Sequence, residues 1–357
     1  MERIQVAVIG GGQSGLAAAH AARQAGLVPV VLEASDRAAG SWPSYYDSLT
    51  LFSPAAFSAM PGLPFGGDGE RYPHRDEVVD YLTHYAAGLD AEIRTGVRVE
   101  SVEPDSDGFV LRTSDGSQLA ADGVVAATGS FSNPLVPALP GQETFTGELL
   151  HSAGYRNPDA YAGKRVLVVG GGNSAVQIAH ELARAARVTL ASRAPLTFLA
   201  QRRDGKDLHH WLAGTGFDDL PPAWLARVVP GTLVLDDGRY ACALDEGVFD
   251  RRPVFSALEG DSAVWADGSR EAVDVVLLAT GYRPALGYLA KTGALDADGM
   301  PLHAGGLSLT QPGLVYLGLE FQRSFASNTL RGVARDAAHV VAALSAHVRG
   351  AAPAVGL

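Results

Sequence analysis

The sequence predicts an α/β protein built from two doubly wound parallel sheets, with the second unit inserted into the first. An internal repeat supports this fold class, because residues 3–35 and 164–193 match at one fixed offset. A second shared pattern, an apolar run that ends in Thr-Gly, follows each copy at residues 123–130 and 274–284. Each copy reads as a strand, a triple-glycine turn, an alanine-rich helix and a second strand, which is typical of parallel strand-helix-strand units.

The first copy predicts a dinucleotide site. Its turn carries Gly10, Gly12 and Gly15, the spacing that permits a tight turn, a close approach of pyrophosphate to the backbone, and close packing of helix on strand. The pyrophosphate is expected at the N-terminus of the following helix, where free N–H groups and the helix dipole favour anions. Glu33, at the end of the second strand, can accept a hydrogen bond from a ribose 2′-hydroxyl and would repel a 2′-phosphate. This site therefore favours a dinucleotide with a free ribose, such as FAD.

The second copy predicts a different dinucleotide. Ala175 replaces the last glycine, and Arg193 stands where the first copy has Glu33. An arginine offers a fork of donors to a 2′-phosphate, so this site is expected to prefer NADPH to NADH. Two such Rossmann-like units in one chain indicate an oxidoreductase in which hydride passes from NADPH to FAD.

The order of the motifs predicts the domain organisation. We assign residues 1–142 and 282–348 to a discontinuous FAD-binding domain, and residues 150–281 to an inserted NADPH-binding domain. An insert at about 195–259 carries no nucleotide signature and is a candidate for substrate access or subunit contact. Residues 349–357 are expected to form a loose tail.

Composition and charge argue against several classes of function. A net charge of -11, without any run of Lys or Arg, leaves no basic surface for nucleic acid. The single cysteine, Cys242, rules out an intrachain disulfide and a Cys-x-x-Cys redox pair. His209 and His210 are adjacent and point apart, so no metal site is expected. The sequence shows neither a signal-peptide pattern nor an uninterrupted apolar span, which predicts a cytoplasmic protein with no membrane partner.

Residues 145–155 read F-T-G-E-L-L-H-S-A-G-Y and lie between the two nucleotide motifs. This stretch resembles the Phe-x-Gly-x-x-x-His-x-x-x-Tyr fingerprint of the class B flavin monooxygenases, at Phe145, Gly147, His151 and Tyr155. Together with GGGQSG, GGGNSA and LATGYRP, the resemblance extends over nearly the whole chain. It is strongest to a small bacterial branch with GSW, YDSL and LFSP segments, some members of which accompany arsenic-resistance genes. It implies hydride transfer to flavin N5, oxygen addition at flavin C4a, and transfer of one oxygen atom to a small molecule with a soft nucleophilic atom or a carbonyl group.

The motifs and the resemblance together assign residues to both cofactors. The residues assigned to FAD are Gly10, Gly12, Gln13, Ser14, Gly15, Glu33, Ser41, Trp42, Val97, Thr128, Gly129, Gly318, Asn328, Thr329 and Leu330. Those assigned to NADPH are Gly170, Gly172, Asn173, Ser174, Ala175, Arg193, Thr280 and Gly281. The resemblance names no catalytic acid or base. It places Trp42, Phe52 and Ser53 beside the flavin ring, and it places the fingerprint on a linker that shapes the approach of the nicotinamide.

One position departs from the family pattern. Many members carry Asn, and one branch His, where this chain has Phe52, and that residue hydrogen-bonds near the reacting oxygen. A phenyl ring offers no such bond. Either Ser53, a backbone group or bound NADP supplies the contact, or the oxygen adduct is poorly stabilised.

The sequence leaves three functions open. The leading one is an NADPH-dependent, FAD-containing monooxygenase, whose partners are a small-molecule substrate and molecular oxygen. The second is a reductase that passes electrons to a protein acceptor, although the acidity of the chain disfavours the basic docking face that it would need. The third is a redox sensor that binds FAD and NADPH without catalysis. A homo-oligomer is compatible with each of them.

Overall fold

A computed structural model describes residues 1–228 and 232–350 of the chain. Its elements fall into three runs. The first run contains β1 (Glu2–Ile9), α1 (Gln13–Gln24), β2 (Pro29–Leu32), α2 (Arg75–Ala87), β3 (Glu92–Arg94), β4 (Val99–Asp105), β5 (Gly108–Thr113) and β6 (Gln118–Ala126).

The second run forms most of the other sheet. It contains β7 (Glu148–His151), β8 (Arg165–Val169), α3 (Asn173–Leu182), β9 (Arg187–Ser192), β10 (Phe198–Ala200), β11 (Arg202–Arg203), β12 (Lys206–Asp207), α4 (Leu208–Gly214), α5 (Pro222–Val228), β13 (Val234–Asp236), α6 (Arg239–Asp245), β14 (Asp250–Pro253), β15 (Ala257–Glu259), β16 (Ser262–Val264), β17 (Arg270–Ala272) and β18 (Val275–Leu278). The last run contains β19 (His303–Ala304), β20 (Leu307–Ser308), β21 (Leu314–Tyr316) and α7 (Leu330–Val348).

The first sheet combines strands from the first and last runs in the order β19-β20-β21-β6-β1-β2-β3. The five strands from β21 to β3 run parallel, and β4 and β5 add an antiparallel hairpin to β6. The register places Ile9 beside Leu32 and Ala126. The glycine turn after β1 and the Thr-Gly turn after β6 therefore leave the sheet at the same edge.

Successive side chains of β1 point to opposite faces of the first sheet, and both faces are covered. Val6 and Val8 pack with the buried side chains of α1, α2 and α7. Ala7 and Ile9 face the opposite way and pack with the hairpin of β4 and β5. Both faces of β1 are buried, as expected for a central strand of a parallel sheet.

The second sheet contains five parallel strands in the order β14-β9-β8-β18-β7. Helix α3 packs on one face, and the three-stranded meander β15-β16-β17 contributes to the core on the other. Leu278 lies beside both Val169 and His151. The second glycine turn, the second Thr-Gly turn and His151 consequently meet at one edge.

The two Thr-Gly turns are joined through the two segments of the chain that cross between the sheets. Leu135 N–H donates to the carbonyl of Gly281 at 2.9 Å, and the Thr280 hydroxyl donates to the carbonyl of Leu135 at 2.5 Å. On the other crossing segment, Ala285 N–H donates to the carbonyl of Gly129 at 2.9 Å. These bonds fix the carboxyl edges of the two sheets relative to one another.

The predicted fold class, two doubly wound units in one α/β chain, is confirmed. The fingerprint was expected on a linker, but Glu148–His151 is the edge strand β7, because its backbone pairs in parallel with Val275–Leu278. The predicted insert at 195–259 contains the small strand pairs β10-β13 and β11-β12, and also β14 of the second sheet. Within the described residues, no helix is long and apolar enough to cross a membrane.

Candidate cofactor-binding and active site

The first glycine turn is a cradle that excludes side chains. A Cβ atom built on Gly15 would lie 1.8 Å from the carbonyl oxygen of Gly10, and one built on Gly10 would lie 2.5 Å from the carbonyl oxygen of Ala127. Gly12 is the N-cap of α1 and has no side chain that could bond the first N–H groups of the helix. Those N–H groups therefore fit a pyrophosphate, and the turn fits the FAD predicted for it.

Glu33 is buried beside this turn with its carboxylate held in place. It accepts hydrogen bonds from Gly11 N–H at 2.5 Å and from the amide and hydroxyl of Ser35, both at 2.7 Å. A carboxylate has about four acceptor positions, so a ribose hydroxyl can still be bound. Val97 N–H donates to the carbonyl of Glu33 at 2.8 Å, which leaves the Val97 carbonyl as the group available to adenine.

Several residues assigned to FAD from distant parts of the chain meet at the start of α1. The Gln13 amide donates to the carbonyl of Asn328 at 2.8 Å and accepts the indole N–H of Trp42 at 3.0 Å. A Cβ atom on Gly318 would lie 2.1 Å from the hydroxyl oxygen of Ser14. The N-terminus of α7 is thereby tied to the N-terminus of α1, which fits one elongated cofactor lying across both.

The second glycine turn repeats this geometry with one difference. Ala175 stands at the third position, and a Cβ atom on Gly170 would lie 2.4 Å from the carbonyl oxygen of Ala279 and 3.0 Å from the Cβ of Ala175, so Gly170 also excludes a side chain. The Asn173 side chain accepts Leu235 N–H at 2.9 Å. Arg193 is exposed immediately after β9.

The fingerprint residues have structural partners that explain their identity. A Cβ atom on Gly147 would lie 2.4 Å from the Phe145 ring. His151 accepts Ala153 N–H at Nδ1 (3.1 Å), and its Nε2 bonds the carbonyl of Gly281 at 3.0 Å. Burial lowers the pKa of His151, which favours the neutral ring with its proton on Nε2. His151 thus holds the second Thr-Gly turn.

Tyr155, the last fingerprint residue, is fully buried in the second unit. Its hydroxyl donates to the carboxylate of Glu181 on α3 at 2.9 Å. The fingerprint therefore links the edge strand β7 to the helix that begins at the second glycine turn.

The serine beside Phe52 has a second hydroxyl as its partner. The Ser53 and Ser58 hydroxyl oxygens lie 2.9 Å apart, and either can be the donor. Ser58 is also within hydrogen-bond distance of the carbonyl oxygens of Ser53, at 3.1 Å, and Pro54, at 2.8 Å. When Ser58 donates to one of these carbonyls, the Ser53 proton is shared between Ser58 and a ligand beside Phe52. The Phe52 ring is 40% exposed, which leaves it free to contact a ligand.

Sequence reasoning missed a buried polar network behind Phe52. Asp207 is fully buried and accepts the Tyr72 hydroxyl at 2.5 Å, the Gln201 amide at 2.7 Å and the His209 ring at 2.7 Å. Burial raises the pKa of Asp207, but these hydrogen bonds outweigh it and hold the pKa at about 2. The only sequence signal was an Asp that precedes a helix, which by itself indicates an exposed N-cap.

Next to this network lies a cavity of about 200 Å³ between the loop that carries Phe52 and the second unit. Phe52, Tyr72, Gln177, Gln201 and Tyr240 contribute to its wall. Part of the predicted insert therefore borders a space that reaches Phe52. Among the described residues, no group of three His, Cys, Asp or Glu side chains could hold a metal ion.

Two side-chain-free cradles, on two parallel sheets joined at their Thr-Gly turns, define an oxidoreductase that binds two dinucleotides. A family model described as pyridine nucleotide-disulphide oxidoreductase matches residues 7–214. The chain belongs to that family and, within it, to the class B flavin monooxygenases. It depends on FAD and NADPH, as predicted.

The relatives agree with this assignment. A flavin-containing monooxygenase from Stenotrophomonas maltophilia is 32% identical, with a TM-score of 0.85 over 97% of this chain and 99% of that one. An uncharacterized CzcO-like oxidoreductase of Geobacillus kaustophilus is 31% identical over 95% of this chain and 97% of its own length. The indole-3-pyruvate monooxygenase YUCCA1 of Oryza sativa is 32% identical over 77% of this chain and 76% of its own length.

Despite the name of the family, a cysteine pair plays no part in this chain. Cys242 is an exposed thiol on α6 that donates to the Glu246 carboxylate at 3.2 Å. Its bond to Glu246 and the negative charge there raise the pKa of the thiol, which disfavours the reactive thiolate.

Replacing Cys242 with serine is therefore expected to leave NADPH-driven flavin reduction unchanged. Serine keeps a donor for Glu246, and stopped-flow absorbance at the flavin maximum measures the rate. A large loss of that rate, in protein with normal FAD content, would show that the thiol takes part in electron transfer.

Proposed function

We propose that this chain uses NADPH to reduce a bound FAD and transfers one atom of O2 to a small molecule that carries a soft nucleophilic atom or a carbonyl group. The observation that supports this most is the junction of the two Thr-Gly turns. Because each turn follows the carboxyl end of a central strand, the junction brings the two dinucleotide edges together. Such a geometry suits direct hydride transfer between two cofactors.

Bound FAD would supply the hydride and oxygen chemistry, and the residues of the chain would supply binding and orientation. The N-terminus of α1 would hold the pyrophosphate, and Gln13 ties Trp42 and the start of α7 to that end of α1. The N-terminus of α7 would stabilise negative charge that develops on a flavin bound beside it. Neutral His151 holds the Gly281 turn without releasing a proton.

Three measurements on one preparation separate this function from its alternatives. The purified protein should be yellow, contain one FAD per chain, and consume oxygen when NADPH is added. A protein acceptor that accelerates NADPH oxidation without oxygen consumption would favour the reductase. Colourless protein that cannot be reconstituted with FAD would contradict the proposal.

The apolar ring at Phe52 leads to a prediction about peroxide. The phenyl ring supplies no hydrogen-bond donor to an oxygen species beside the flavin, and the neighbouring Ser53 hydroxyl is shared with Ser58 at 2.9 Å. Loss of one donor at a comparable oxyanion site costs about 2.7–4 kcal/mol. Without substrate, we expect the NADPH electrons to appear as hydrogen peroxide, and we expect Phe52→Asn to slow peroxide release several-fold, because a longer-lived oxygen adduct delays the next turnover.

Phe52→Leu is the matched control, because it changes the shape of the side chain without adding a donor. The rate of peroxide formation per bound FAD, at saturating NADPH and without substrate, is measured for all three proteins. Equal rates in the Asn and Leu variants would show that hydrogen bonding at this position does not control peroxide release.

A further inference from the structure

The adenosine end of the second site contains a cation that the motif does not predict. Arg251 lies in β14, which pairs with β9 as β3 pairs with β2 in the first sheet. In the first sheet, the end of β3 contacts Glu33, the residue that is expected to select a free ribose. Glu33 N–H donates to the carbonyl of Arg94, the last residue of β3, at 2.9 Å. The equivalent corner of the second sheet is the end of β9, where Arg193 follows Ser192.

Arg251 is tied to this corner by two hydrogen bonds. Its Nε donates to the Ser192 hydroxyl at 2.8 Å, and its Nη2 donates to the Ser192 carbonyl at 3.0 Å. Nη1 has no acceptor among the described residues. The guanidinium is therefore fixed next to Arg193 with donors still available.

The charge of Arg251 is not neutralised by the protein. Its neighbour Arg252 pairs with Asp267 at 3.5 Å and lies over the Trp265 ring at 4.0 Å. In the described part of the chain, by contrast, no carboxylate oxygen lies within 4.0 Å of Arg251 or of Arg193. A partly buried guanidinium without a counter-charge is unfavourable, so an anionic ligand would stabilise this corner.

We propose that Arg251 is a second specificity-determining residue, which together with Arg193 binds a phosphate monoester on the 2′-position of the adenosine ribose. This inference rests on the proposed function, because it requires a pyridine dinucleotide on the second sheet. It adds that selection of the 2′-phosphate is shared between the end of β9 and the adjoining strand β14. A guanidinium held by Ser192 together with the exposed Arg193 binds a dianion more tightly than Arg193 alone.

The test compares two nucleotides that differ only in the 2′-phosphate, adenosine 2′,5′-bisphosphate and adenosine 5′-monophosphate. Their binding to the FAD-loaded protein is measured by titration calorimetry. Arg251→Ala should weaken the affinity for the bisphosphate about tenfold and leave the affinity for the monophosphate within twofold of that of the unmodified protein. Arg251→Lys keeps the charge and should reduce the affinity for the bisphosphate much less. Arg187→Ala is the control, because Arg187 is an exposed arginine at the opposite end of β9.

The outcomes separate this inference from the proposed function. If Arg251→Ala leaves the preference for the bisphosphate unchanged, the assignment of Arg251 is wrong and NADPH binding stands. If Arg251→Ala or Arg251→Lys weakens both nucleotides equally, Arg251 only supports the fold around Ser192. If the unmodified protein binds both nucleotides equally, selection of NADPH by the second sheet fails, and the role of Arg251 with it.

Discussion

Gly15→Ala is expected to yield a protein that retains no FAD and unfolds at a lower temperature than the unmodified protein, even when both are free of cofactor. The new Cβ would lie 1.8 Å from the Gly10 carbonyl oxygen and 3.3 Å from Val8, so α1 must move away from β1. Overpacking of this kind costs about 1–3 kcal/mol, and the displaced helix also loses its position under the pyrophosphate. Flavin absorbance per chain and thermal unfolding measure the two effects.

Gly12→Ala is the matched control in the same turn. Its φ of -80° suits alanine, and its Cβ would make only an ordinary contact with Gly40 at 3.4 Å. The cofactor-free protein should therefore keep its stability within about 1 kcal/mol, the usual cost of replacing an N-cap glycine. FAD affinity should nevertheless fall at least tenfold, because the methyl group occupies the space of the pyrophosphate. Normal FAD affinity in Gly12→Ala would contradict the claim that the pyrophosphate of FAD lies against this glycine turn.

Arg193→Ala should erase most of the preference for NADPH over NADH. Arg193 is exposed at the end of β9 with no carboxylate within 4.0 Å among the described residues, so its charge is available to a 2′-phosphate. A charge-assisted hydrogen bond is worth about 1.5–3 kcal/mol, or about tenfold to a hundredfold in the ratio of kcat/KM values. Flavin reduction rates with each nucleotide measure that ratio.

The control for this prediction is again Arg187→Ala, which removes the same charge from the other end of the strand. If the ratio falls equally in both variants, general electrostatic attraction explains the preference, and Arg193 has no special place. An unchanged ratio in Arg193→Ala would remove this residue from the site altogether.

The sequence alone predicted the features that depend on local pattern. The repeat identified both glycine turns, because short apolar runs, triple glycines and alanine-rich helices are visible in any one copy. The contrast between Glu33 and Arg193 predicted which dinucleotide each turn favours. The structure adds the close approaches that exclude a side chain at Gly10, Gly15 and Gly170.

Features that depend on contacts between distant residues were not predictable in this way. The edge strand β7 forms only because β18, more than a hundred residues later in the chain, pairs with it. The hydrogen bond from Tyr72 to Asp207 joins residues 135 positions apart, and the periodicity of the sequence does not predict such a contact. The same applies to Arg251, whose neighbour Ser192 lies 59 positions away.

The most direct test of the central claim, that the chain is an NADPH-dependent FAD monooxygenase, is isotopic. The FAD-loaded protein is supplied with NADPH and 18O2 in the presence of amines, sulfides, ketones and trivalent arsenicals in turn, and each product is analysed by mass spectrometry. We predict that one of these classes gains a single 18O atom, with less peroxide released per NADPH. Complete recovery of the electrons as peroxide with every class, together with rapid reduction of a protein acceptor, would contradict the claim.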